Sequence, residues 1–144
     1  MHLYCVDGTN LVRASSGYGG PQFREQEDSD GAWLVAALAE VCLSAGPAVE
    51  VELFFDGPHR VWPEGKAGQA ANLRVSFTRE TKADDLILDR VRSHRWTGGG
   101  GVTVVTGDGE LGRQAEEEGA RWQQVRHGAR LENVTRRFSD DTLP

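Results

Sequence analysis

Apolar and polar positions alternate along this 144-residue chain in a way that predicts strands and helices in turn. Residues 2–6 form a short apolar run closed by the turn-prone pair Asp7-Gly8 and read as a buried strand. Residues 14–30, rich in Ser, Gly and charge and containing Pro21, read as a loop. In residues 32–45 the positions Leu34, Ala37, Leu38, Val41 and Ala45 recur at helical spacing, with Asp30 as cap and Gly46-Pro47 as stop. Residues 49–55 and 73–77 read as strands, separated by a Gly- and Pro-rich loop over 57–72 with a helical turn near Gln69. The spacing of Ile87, Leu88 and Val91 predicts a helix over 84–95. A glycine connector at 98–101, a strand over 102–106, a helix over 109–118 and a last strand over 121–125 complete the pattern. Strands alternating with helices predict an α/β fold: three layers, with helices on both faces of a central, mostly parallel sheet of about five strands. The length fits one domain over 1–144, with its core in 2–125 and residues 126–144 unassigned.

Four apolar runs share a further feature, since each delivers aspartate into a turn or helix start. They are Tyr4-Cys5-Val6-Asp7-Gly8, Leu53-Phe54-Phe55-Asp56-Gly57, Val75-Ser76-Phe77 leading to Ala83-Asp84-Asp85, and Val104-Val105-Thr106-Gly107-Asp108. In a parallel sheet all strands point one way, so these acids collect along the edge where open α/β folds bind ligands. Carboxylates gathered there repel one another, so cations sit among them or their pKa values rise. Helical phase separates the neighbours Asp84 and Asp85: Asp84 shares a face with Ile87, Leu88 and Val91, and Asp85 is turned about 100° away. Each acid alone has a plain structural role available. Asp7 with Asn10 fits an Asx turn, Thr81 and Asp84 a capping box, Asp108 an N-cap, and Asp56 a turn. Their shared placement points instead to a hard-metal site. Mg²⁺ and Mn²⁺ suit oxygen donors and bind phosphate oxygens of a substrate, which leads to hydrolysis of a nucleic-acid backbone.

Composition modifies this reading only in places. The net charge of −6 argues against a nucleic-acid partner until two divalent cations, four charges, are placed among the acids and bring it to −2. Arg13, His59, Arg60, Lys66, Arg79 and Lys82 fall in loops leaving the strand ends and are placed to contact phosphates, with Trp62 as a stacking surface for a base. Cys5 and Cys42 read as buried thiols, and they match no zinc spacing with His2, His59, His94 and His127. With no basic leader and no membrane-length apolar run, the expected location is cytoplasmic.

The motifs Val-Asp-Gly-Thr-Asn-Leu at 6–11, Phe-Phe-Asp-Gly at 54–57, Thr-Lys-Ala-Asp-Asp at 81–85 and Val-Thr-Gly-Asp at 105–108 resemble, in order, the NYN domains of the PIN-like nuclease superfamily, especially the YacP-like group. The resemblance implies a Mg²⁺- or Mn²⁺-dependent ribonuclease, acting on RNA as an endonuclease, with the ribosome or an RNA-processing complex as a further partner. By position it implies Asp7, Asp84 and Asp108 as catalytic metal-binding acids, Asp85 and Asp56 as supporting metal acids, and Asn10 and Thr106 as accompanying polar residues. Gly107 departs from the small hydroxyl residue common before the last aspartate. A non-catalytic RNA-binding or adaptor module is the competing reading. A phosphatase, suggested by Asp7-Gly8-Thr9, fails because Cys5 and Thr9 stand where its second acid belongs, and a receiver domain fails because it needs paired acids after the first strand and a lysine after the last.

Overall fold

The computed structural model describes residues 1–16, 24–58, 70–98 and 100–142. Five strands, β1 (His2–Asp7), β2 (Val49–Phe55), β3 (Leu73–Phe77), β4 (Val102–Thr106) and β5 (Arg121–Gln124), form one sheet in the order β3-β2-β1-β4-β5. Every neighbouring pair is parallel. The helices are α1 (Gly8–Ser16), α2 (Arg24–Ala45), α3 (Ala83–Trp96), α4 (Gly109–Glu117) and α5 (Leu131–Thr142).

Both faces of the sheet are covered, and the two-residue period of β1 shows how. Tyr4 and Val6 join a core made with α1, α2 and α5, whereas Leu3 and Cys5 join a second core made with α3 and α4. The two cysteines are free and buried. The strand order reverses between β1 and β4, which leaves a crevice beyond their C-terminal ends. Among the described residues no helix is long and apolar enough to cross a membrane.

The structure corrects several sequence expectations. Gly8 opens α1 directly, without an intervening turn, and its place there is steric, since a side chain would meet the Phe55 ring at 2.7 Å and the Phe54 carbonyl at 2.9 Å. The loop expected over 14–30 is helical at both ends, with residues 17–23 outside the described ones. Asp30 lies inside α2, past its first turn, and accepts a bond from Gln26 Nε2 one turn away, so it does not mark the start of this helix. The turn expected near Gln69 lies outside the described residues.

The segment after Val125 forms α5. Leu131, Val134 and Phe138 bury one face of it, and Phe138 meets the Tyr4 ring edge-on at 4.8 Å between centroids. The Tyr4 hydroxyl donates to Asp141 Oδ2 at 2.8 Å, and Arg121 pairs with the same carboxylate. This arrangement ties β1, β5 and α5 together.

Candidate functional site

Thr106 at the end of β4 is fully buried, and its hydroxyl donates to Asp7 Oδ2 at 3.0 Å while accepting the Asp108 N–H at 3.1 Å. One side chain therefore links the acid ending β1 to the backbone that presents the acid after β4. Asp108 caps α4 through Oδ1, which accepts the N–H groups of Glu110 and Leu111 at 3.0 and 3.3 Å. The N-cap foreseen for Asp108 is thus real, and it coexists with a place in the cleft because both cap bonds use one oxygen.

Asp56 performs the cap that Thr81 was expected to supply. The residue before α3 is Lys82, which makes no side-chain cap, and the Ala83 N–H donates instead to Asp56 Oδ1 at 2.9 Å. The Asp56 N–H in turn donates to Thr9 Oγ1 at 2.8 Å. The ends of β1 and β2 are thereby fixed to the start of α3, which carries Asp84.

Asn10 Oδ1 accepts the Gly107 N–H at 2.8 Å, so its amide anchors the turn into α4. The glycine at 107 also has a physical cause: a Cβ there would stand 2.9 Å from the Val125 carbonyl oxygen and 3.1 Å from Asn10 Oδ1. A hydroxyl side chain has no room unless β5 moves. Gly107→Ala is expected to lower stability by about 1–3 kcal/mol, the usual cost of overpacking. Urea unfolding followed by circular dichroism measures it, and a variant as stable as the parent would show that the turn yields freely.

These elements enclose an open cleft of about 350 Å³ at the crevice between β1 and β4, lined by Asp7, Thr9, Asn10, Arg13, Ala14, Asp56, Asp84, Asp108 and His127. Burial pushes the Asp7 carboxyl up to about 7, aided by Asp84 and Asp56 and opposed by the bonds from Thr106 and the Asn10 backbone. Asp84 is raised as well, first by partial burial and then by Asp108, Asp56 and Asp85, with Lys82 opposing. The acids are close enough to repel one another. Among the described residues, however, no three His, Cys, Asp or Glu side chains form a ready cage for a metal ion.

The remaining sequence candidates divide. Asp85 is exposed and off the cleft lining. Arg13 lines the cleft, but its Nε donates to Glu27 Oε1 at 2.7 Å. Arg79, in a left-handed backbone conformation with φ 59°, and Lys82 are exposed and lie off the lining. Arg60, with His59, Trp62 and Lys66, lies outside the described residues. His127, which the sequence offers only as a histidine outside any zinc spacing, also lines the cleft. The turn carrying it is fastened to α1 by the Gly128 N–H donating to the Ala14 carbonyl at 2.9 Å. That contact spans more than a hundred residues and leaves no local pattern.

The profile of the YacP-like NYN domain matches residues 4–139. Among solved structures, the crystal structure of Rae1 (YacP) from Bacillus subtilis, in a mutant form, aligns with a TM-score of 0.61. The alignment covers 97% of this chain and 80% of that one at 20% sequence identity. At that identity the likeness is one of fold. No curated protein matches the chain by sequence.

Proposed function

The chain belongs to the YacP-like NYN domain family, and from that premise we propose that it is a ribonuclease that hydrolyses phosphodiester bonds within RNA strands with the help of Mg²⁺ or Mn²⁺. The observation that carries this reading is the convergence of Asp7, Asp56, Asp84 and Asp108 on one cleft, with Asp7 and Asp84 both held above the ordinary carboxylate range.

Such a donor set fits a hydrated hard cation. Mg²⁺ keeps several of its waters and is bound through one or two carboxylates together with substrate phosphates, so an all-protein cage is not required. Asp7, Asp84 and Asp108 are the residues that would hold it, with Asp56 and Asp85 adding negative charge nearby. When bound, the cation supplies positive charge against the phosphate and lowers the pKa of its water toward neutrality.

The chain's own contribution is positioning. Thr106 orients the Asp7 carboxylate, Asp56 fixes the first turn of α3 beneath Asp84, and Asn10 holds the turn that presents Asp108. Arg13 and His127 line the same cleft, and with Arg13 paired to Glu27, His127 is the group left to meet a phosphodiester backbone beside the acids. Arg79 and Lys82 extend the positive charge beyond the cleft itself.

End-labelled single-stranded and structured RNAs incubated with the protein test the proposal. Internal cuts are expected with Mg²⁺ or Mn²⁺ and none in excess EDTA. Cation-independent RNA binding without cleavage would reject the enzyme and assign the chain to the adaptor class.

A further inference from the structure

We infer that the turn after β5, with the first turns of α4 and α5, forms a track along which the RNA backbone leaves the acidic cleft, contacting Arg113, Arg126, His127 and Arg130. This inference rests on the ribonuclease reading and adds where the strand lies. A polyanion approaching a protein of net charge −6, through a cleft ringed by acids, needs a local excess of positive charge beside that cleft. The two flanks of the cleft differ in this respect.

On the α1 and α2 side, the guanidinium of Arg13 is engaged by Glu27, and the first turns of α2 set Glu25, Asp28 and Asp30 against the single cation Arg24. That flank offers little net attraction. On the β5 side, the sequence from Gly119 to Leu131 contains no acid, and the first turns of α4 and α5 add one each, Glu110 and Glu132, against the arginines Arg113, Arg126 and Arg130. Its Arg121 is held by Asp141. Arg126 and Arg130 are exposed and form no ion pair among the described residues, and the same is true of Arg113 on α4.

Geometry brings these groups to the cleft edge. Arg126 and His127 follow β5 after the single residue Val125, so they emerge at the sheet edge that carries the aspartates. Arg130 accepts the N–H groups of Asn133 and Val134 through its carbonyl, which places it at the start of α5. Helix starts carry partial positive charge and reinforce the patch. The Arg113 guanidinium folds back over Gly109, with Nη1 3.3 Å from where a Cβ would stand, beside Asp108. His127 lines the cleft itself and joins it to the three arginines.

Multiple-turnover cleavage of a fluorescein-labelled single-stranded RNA, measured across a KCl series in Mg²⁺, tests the track. In Arg126→Gln/Arg130→Gln the plot of log kcat/KM against log salt is expected to be shallower by about 1.4, from about 0.7 per lost phosphate contact. At low salt KM is expected to rise about tenfold. Arg92→Gln removes a charge on the exposed face of α3, away from the cleft, and serves as the control that keeps the wild-type slope. Wild-type slope and KM in the double variant would overturn the track while leaving the ribonuclease in place. A wild type that cuts no RNA would overturn the ribonuclease reading, and the track with it.

Discussion

At pH 8 without divalent cations, Asp7→Asn is expected to melt several degrees above the wild type and, with Mg²⁺ or Mn²⁺ supplied, to cleave no RNA. Asp7 is 3% exposed, and its carboxyl titrates at about 7 in the folded chain against an ordinary 3.8. A carboxyl whose pKa rises on folding holds its proton more tightly in the native state. Its contribution therefore favours folding below about pH 4 and is lost as pH climbs through about 7. The gap corresponds to about 4 kcal/mol of native-state cost above pH 7, which an uncharged amide of the same shape removes. Melting temperatures of the two proteins are expected to converge near pH 4 and to separate between pH 4 and 7. Added Mg²⁺ is expected to raise the melting temperature of the wild type alone. A variant that melts below the wild type at pH 8 would show that Thr106 and the Asn10 backbone fully compensate the buried charge. The exchange of stability for activity is the one expected where a strained site performs the chemistry.

The second large effect distinguishes neighbours. Asp84→Asn is expected to reduce the single-turnover cleavage rate by more than about 100-fold, the upper range seen when only an outer-shell partner of a metal site is lost. Asp85→Asn, altering an exposed carboxylate off the cleft lining, is expected to change it only a fewfold. Asp84 lines the cleft and is raised first by partial burial and then by three neighbouring acids, so it stands within their field. Equal losses in the two variants would remove Asp84 from its assigned place.

The contrast between Asp84 and Asp85 was legible in the sequence because helical phase is a local property. The five strands were legible for a related reason: parallel strands buried on both faces read as apolar runs. The first two turns of α2 were not, since exposed turns full of Glu, Asp, Ser and Gly look like loop until tertiary packing sets the helix. The start of α5 carried a readable signal in Leu131, Val134 and Phe138, three apolar residues at helical spacing in an otherwise charged segment. Two features of the site had no local signature. Asp56 caps a helix that begins 27 residues later, and His127 reaches the cleft through a bond to α1. The Thr81 to Asp84 spacing imitated a capping box because the motif is short and the true cap comes from another strand.

The position of β1 in the sheet has a consequence during synthesis. Leu3 lies beside Glu50 on one neighbour and beside Val102 on the other, so the strand made earliest acquires its second partner last. At roughly 5–20 residues per second, one edge of β1 waits roughly 5–20 s for β4 to emerge. An unpaired Leu3-Tyr4-Cys5-Val6 run is in that interval a template for aggregation. Asp7 adjoins that run, and before folding it is solvated and fully ionised at neutral pH. A charge flanking an apolar strand discourages self-pairing. The carboxylate that costs the finished protein stability thus protects the nascent chain.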